Sequence, residues 1–195
     1  MRSWQIFGVA LVATLISVGA RASPFVVFPR ASELISPDGR YVVRNVERAG
    51  PGSDFIGTFH SLWLTEVSTG RTRKLCDYFG VAVVGWSNND ILLVTQYWRK
   101  GSRALVLSAA GMHDPLVLDA PGLFPLVPGN LRPSLRENDH VFVEASRIEE
   151  ETLHLIVWGY GKHDANGFRW HCDYALLQGT VSCQEKPQAV EVRKP

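Results

Sequence analysis

Short apolar runs of strand length alternate with turn chemistry along most of the chain. YVVRNV at 41–46, ILLVTQYW at 91–98 and VFVEAS at 141–146 each follow a polar turn-like cluster: Ser36-Pro37-Asp38-Gly39, Ser87-Asn88-Asn89-Asp90 and Glu137-Asn138-Asp139. A second apolar run follows each: LWLTEV at 62–67, ALVLS at 104–108 and LHLIVW at 153–158, ending near Gly70, Gly111 and Gly161. Runs this short, rich in β-branched and aromatic residues and bounded by Gly, Pro, Asn and Asp, predict strands joined by tight turns. Helical periodicity is scarcely visible after the leader, so the pattern predicts an all-β fold of antiparallel sheets. The beat of roughly fifty residues marks three degenerate repeats. The first repeat is longer by about nine residues, a surplus that falls in the breaker-rich Ala49-Gly50-Pro51-Gly52-Ser53-Asp54 and reads as an inserted loop. Between the second and third repeats, LDAPGLFPLVPGNLRP carries prolines at 121, 125, 128 and 133. These remove backbone donors, and the segment reads as a connector or edge without helix.

The residues of the first repeat carry a resemblance. Ser36-Pro37-Asp38-Gly39-Arg40-Tyr41-Val42-Val43, followed by Leu62-Trp63-Leu64-Thr65-Glu66-Val67-Ser68-Thr69-Gly70, resembles one blade of the TolB-like β-propellers. The second repeat keeps Trp86-Ser87 with a turn and strand but has Asn88-Asn89-Asp90 in place of Pro-Asp-Gly, and the third keeps only a turn and strand. The match covers roughly residues 34–118. Such rings hold six or seven blades, so three units imply an open or partial propeller, a ring completed by further copies, or a β-sandwich. The resemblance implies a binding platform or envelope scaffold, and fold analogy alone does not choose between them.

The N-terminus sets the compartment. Arg2, an apolar run at 6–20 and Ala20-Arg21-Ala22 ahead of Ser23 have the form of a secretory signal peptide, residues 1–22, with a run too short for a bilayer span of ~20 residues. Residues 23–186 then form a single all-β domain, and 187–195 a frayed tail. Cleavage leaves 173 residues with 18 basic and 19 acidic side chains. A near-neutral chain exerts no long-range pull on nucleic acid, and no second apolar run could span a membrane. The expected location is periplasmic or extracellular, where thiols pair. Cys172 and Cys183 flank a segment whose central Gln178-Gly179 predicts a hairpin, making them the expected disulfide, with Cys76 left as a small buried hydrophobe.

Candidate chemistry is thin. Gly85-Trp86-Ser87-Asn88-Asn89 lacks the last glycine of a nucleophile elbow and sits in a strand-to-strand turn. His60, His113, His140, His154, His163 and His171 lack paired metal-ligand spacing; His113-Asp114 and His163-Asp164 read as solvated loops, and no cofactor or metal is expected. Glu149-Glu150-Glu151 reads as a solvated hairpin turn, and Gly50-Pro51-Gly52 is no phosphate loop. The aromatics are more informative. Tyr97, Trp98 and Arg99 end a strand at a turn, and Trp158, Tyr160, Phe168 and Trp170 cluster near the irregularity of the third repeat; Trp63 and Trp86 are expected in the core. Tyr97, Trp98, Arg99, Trp158, Tyr160 and Trp170 have the composition of interface anchors or sugar-stacking platforms; the competing reading is that the tryptophans fill the core between sheets, which the pattern favours for Trp158 and Trp170. The sequence therefore points to an exported, non-enzymatic binding or scaffold module with a protein or glycan partner, or a homo-oligomer. The alternatives are a carbohydrate-binding module, or a secreted hydrolase testable at His163, Asp164 and His171.

Overall fold

A computed structural model of the chain describes residues 25–48, 59–111, 114–164 and 166–185. The segment read as a signal peptide (1–22), the one read as an inserted loop (49–54), His113 and the segment read as a frayed tail (187–195) lie outside the described residues. The fold is nearly all β, in antiparallel sheets that do not close into a barrel.

Three four-stranded antiparallel meanders account for most of it. The first runs β2 (Glu33–Ile35), β3 (Tyr41–Arg48), β4 (Phe59–Glu66) and β5 (Thr72–Phe79). The second runs β6 (Val81–Trp86), β7 (Ile91–Trp98), β8 (Gly101–Ser108) and β9 (Leu116–Leu118). The third runs β10 (His140–Glu149), β11 (Thr152–Tyr160), β12 (Phe168–Ala175) and β13 (Thr180–Glu185). A preceding strand, β1 (Val26–Phe28), pairs with β6 rather than with its neighbour in sequence.

The first two turn clusters do what their chemistry predicts. In the first, Ser36 Oγ donates to Asp38 Oδ1 at 2.7 Å and accepts from the Tyr41 amide at 2.9 Å, while Gly39 takes a φ of +74°. In the second, Asn88 Oδ1 does the same work by accepting from the amides of Asp90 and Ile91, each at 2.8 Å. Arg40 ties the two turns together, binding Asp38 and reaching Asp90 at 2.9 Å. The third cluster differs, because it precedes β10 instead of joining two strands of one meander.

Alternation along the strands builds two hydrophobic clusters, one on each side of the second meander. Leu92, Val94, Leu105 and Leu107 face the first meander and pack with Val43, Leu62, Leu64 and Trp86. Leu93 and Ala104 face the other way and pack with Val143, Leu155, Val157 and Trp170 of the third. The middle layer is thus covered on both faces, whereas each outer meander presents one face outward. Trp86 is 2% exposed and stacks on Tyr41, as a core residue should. Trp63, expected beside it, is instead half-buried on the outer face of the first meander, because Leu62 and Leu64 occupy the inward positions on either side of it.

The joint between second and third meanders contains a single parallel bridge, Val141 with Gly101. There a Cβ on Gly101 would lie 2.5 Å from the Val141 carbonyl oxygen, so the approach requires glycine. Beyond it, side chains stand in for a ladder: Ser102 Oγ accepts from the Val143 amide at 2.8 Å and donates to its carbonyl at 2.9 Å, and Thr95 Oγ1 accepts from the Ala145 amide at 3.1 Å.

The proline-rich connector departs from the expectation of a helix-free segment. It holds two short helices, α1 (Ala120–Leu123) and α2 (Arg132–Glu137). Pro121 and Pro133 sit in the first turns, where the missing N–H has no intrahelical acceptor to lose. Leu123, Val127, Leu131 and Leu135 then cap the cluster shared with the third meander. At its far edge the expected hairpin forms, with Cys172 and Cys183 directly opposed across β12 and β13 and joined as a disulfide. Among the described residues no helix is long and apolar enough to cross a membrane.

Candidate functional site

On β7 the inward row facing the first meander begins with Leu92 and Val94 and continues with Gln96 and Trp98, while Tyr97 falls on the opposite side. Past Val94 the apolar packing gives out, and the two meanders part to leave a cleft of 520 Å³. Phe59 and Phe79, at the ends of β4 and β5, form one wall with their ring centroids 5.5 Å apart. Trp98 forms the other. Phe79 is 37% and Trp98 43% exposed, a large outlay of aromatic surface to water at one place.

The floor is polar and tightly held. Gln96, 3% exposed, donates from Nε2 to the Asp77 carbonyl oxygen at 3.1 Å and accepts at Oε1 from Arg103 Nε at 2.7 Å. Behind it Tyr78 donates its hydroxyl to Asn45 Oδ1 at 2.7 Å, which orients the amide so that Nδ2 points at His60 Nδ1, 3.2 Å away. His60 Nδ1 accepts that bond and its ring stacks on Tyr78. Burial pushes the Cys76 thiol up to about 11, against the lowering influence of Gln96 and Arg103. Burial likewise raises Tyr78 above the ordinary phenol value. Asp77 is held down to about 2, chiefly by Lys74 and then by Ser61. Its carboxylate belongs to the outer face of the first meander, where it also meets Arg48.

The anchor residues read from the sequence divide. Trp98 walls this cleft, Tyr97 borders it while its side chain turns to the other face of β7, and Arg99 is exposed in the β7–β8 turn. Burial raises Tyr97 above the usual phenol range, with Glu144 adding to the shift. Glu144 also accepts from Trp158 Nε1 at 2.8 Å, which links Tyr97 to the third meander. Trp158 is half-buried and stacks on Phe142 at 4.0 Å, while Tyr160, 45% exposed, stacks on His140 at 4.6 Å. Both line a second hollow of 450 Å³ with Arg169. Trp170 is a correction: it is fully buried against Phe168 inside the core, because strict alternation along β12 sends Phe168, Trp170, Cys172 and Tyr174 inward. It cannot meet an outside ligand.

The catalytic candidates do not converge. Ser87 sits in the β6–β7 turn with its amide bonded to the Ile91 carbonyl. His163 lies beside Glu137 at 3.3 Å and Asp164 accepts from Asn138, both clasping the β11–β12 loop to α2, while His171 is exposed in β12 opposite Ile156. His154 has two acidic partners, Asp173 at 2.7 Å and Glu149 at 3.5 Å. Among the described residues no three His, Cys, Asp or Glu side chains are placed to hold a metal ion. Sequence reading missed Phe59, Phe79, Gln96 and Arg103 because the cleft forms between repeats, from strand ends that no local pattern brings together. The signal present was Phe79 next to Gly80, a bulky aromatic at the junction of two predicted units. No family model, curated protein or solved structure matches the chain.

Proposed function

We propose that this protein is an exported binding module of three propeller-type units, whose ligand enters the cleft between the first two. The observation that carries this reading is the aromatic rim of Phe79 and Trp98, left open to water above a floor of fixed hydrogen-bonding groups. That combination of apolar walls with a few oriented polar groups is what small-ligand sites use, and 520 Å³ falls in their size range. The leader pattern and the Cys172–Cys183 bond support export to an oxidising compartment. The catalytic candidates lie apart, Ser87 in the β6–β7 turn, His163 and Asp164 in the β11–β12 loop and His171 on β12, which favours binding over turnover.

The test is a thermal-shift screen of the purified protein against amino acids, short peptides and oligosaccharides, followed by titration of the hits. Truncating a stacking anchor should weaken a true ligand by roughly tenfold or more, so Trp98→Ala and Phe79→Ala should each do so. Hits indifferent to both variants, or turnover of a hit, would sink the reading.

A second reading, assembly through the outer meanders, is favoured by a separate observation. Ile35 is 50% and Val46 45% exposed on the first meander, which also places half-buried Trp63 outward, and Tyr160 is exposed on the third. A second copy or a protein partner could cover these faces; light scattering that reports only monomer at high concentration removes the second copy.

A further inference from the structure

The binding reading deepens at Arg103. This side chain lies on β8 directly across from Gln96, and the two form a fixed unit, since Gln96 is itself pinned to the Asp77 carbonyl. Its Nε is thereby spent and its plane set, with the Nη groups left over. Among the described residues, Arg40, Arg44, Arg48, Arg136 and Arg147 each pair with a carboxylate. Arg30, Arg71, Arg99, Arg132 and Arg169 make no ion pair but are exposed, and half-buried Arg73 is bound to the Ser108 and Ala109 carbonyls, whereas half-buried Arg103 makes no ion pair and no hydrogen bond beyond the one from Nε. Of the two acids in the lining, Asp77 is engaged with Ser61, Lys74 and Arg48, while Asp119 gives one oxygen to the Gly122 amide at the start of α1 and makes no ion pair with Arg103. A half-buried guanidinium in the cleft lining, held at Nε with its Nη groups uncommitted, is set to receive an anion. Its planar fork matches a carboxylate.

We propose that the cleft receives a carboxylate carried next to an aromatic or apolar group, with the carboxylate on Arg103 and the apolar group between Phe79 and Trp98. This chemistry has two sources, a free amino acid and the C-terminal residue of a peptide. Asp119 lines the same cleft with one carboxylate oxygen uncommitted, and an ammonium beside the ligand carboxylate would reach for it.

The probes are phenylalanine and Gly-Gly-Phe, each compared with its C-terminal amide by calorimetric titration of the unmodified protein. At least one acid should bind, and its amide should bind at least ~10-fold more weakly, about 1.4 kcal/mol. Arg103→Gln should erase the difference between acid and amide, and Arg103→Lys should restore part of it. Phenylalanine binding that exceeds Gly-Gly-Phe and falls in Asp119→Asn identifies the free amino acid; the reverse order, indifferent to Asp119, identifies the peptide terminus. Equal binding of acid and amide that still depends on Trp98 overturns the role of Arg103 and leaves the cleft reading standing. A preference for the acid that survives Arg103→Gln overturns it as well, as does failure of all four probes to bind. Binding that ignores Trp98→Ala brings down the cleft reading itself.

Discussion

Replacing Ser102 with alanine removes one oxygen atom and should loosen the joint between the second and third meanders. Ser102 is 1% exposed and Val143 0%, and the hydroxyl satisfies both the amide and the carbonyl of Val143. Alanine would leave both backbone groups buried without a partner. Each orphaned group costs roughly 1–3 kcal/mol, so the loss should be roughly 2–6 kcal/mol. At roughly 2–4 °C per kcal/mol for a chain of this size, Tm should fall by roughly 4–24 °C. Urea unfolding followed by circular dichroism measures the first quantity and calorimetry the second. Native-state hydrogen exchange gives the site-specific check, because the Val143 amide should lose protection before its neighbours in β11. Ser182→Ala, on the exposed edge strand β13, is the control and should stay within ~0.5 kcal/mol. A loss below ~1 kcal/mol with the Val143 amide still protected would refute the claim that this hydroxyl replaces a strand partner.

Glu150 and Glu151 form a two-residue turn with φ of 46° and 64°, a conformation suited to Asn-Gly, so the double change to Asn and Gly should raise stability by roughly 1–2 kcal/mol in urea unfolding; no gain would show that the turn carries no backbone strain. Native protein should present one thiol, Cys76, which reacts with a disulfide reagent slowly at pH 8, faster as pH approaches about 11, and at once in denaturant; rapid native reaction at pH 8 would contradict its burial. Asp77 is depressed from its ordinary 3.8 to about 2, so its contribution is present above pH 4 and lost as pH falls through about 2. Asp77→Asn should therefore destabilise at pH 7 and converge with the parent protein near pH 2, and a constant offset at every pH would argue against the ion pairs with Lys74 and Arg48.

Strand chemistry and turn chemistry were legible from local pattern, and the first two turns behave as their side chains dictate. The third unit was legible only in part. Its turn cluster does not close a hairpin, because the preceding segment folds as α1 and α2, whose prolines were read as helix breakers although first-turn positions tolerate them. Trp63 was assigned inward because large aromatics favour cores, yet its neighbours Leu62 and Leu64 had already claimed the inner face. Trp98 was legible as an anchor from its place at a strand end beside Arg99. Arg103 was not, since what singles it out is its place in the cleft lining with Nε fixed by Gln96 and its Nη groups uncommitted, a property of three-dimensional placement alone.

β1 gives the fold a dependence on the order in which the chain becomes available. It is the first strand among the described residues, yet Val26 lies opposite Val84, 58 positions downstream, and Phe28 is sealed in the cluster shared with the second meander. A chain emerging from its N-terminus cannot seat this strand until β6 has followed it out. The first meander could assemble locally in the interval, but its attachment to the rest must wait for a contact of long range in sequence. A truncation to Glu33 would spare all four strands of that meander while stripping the strap, baring the β6 edge to strand addition by other chains. Tags and fusions at the start of the domain therefore bear on self-association more than their distance from the cleft would suggest.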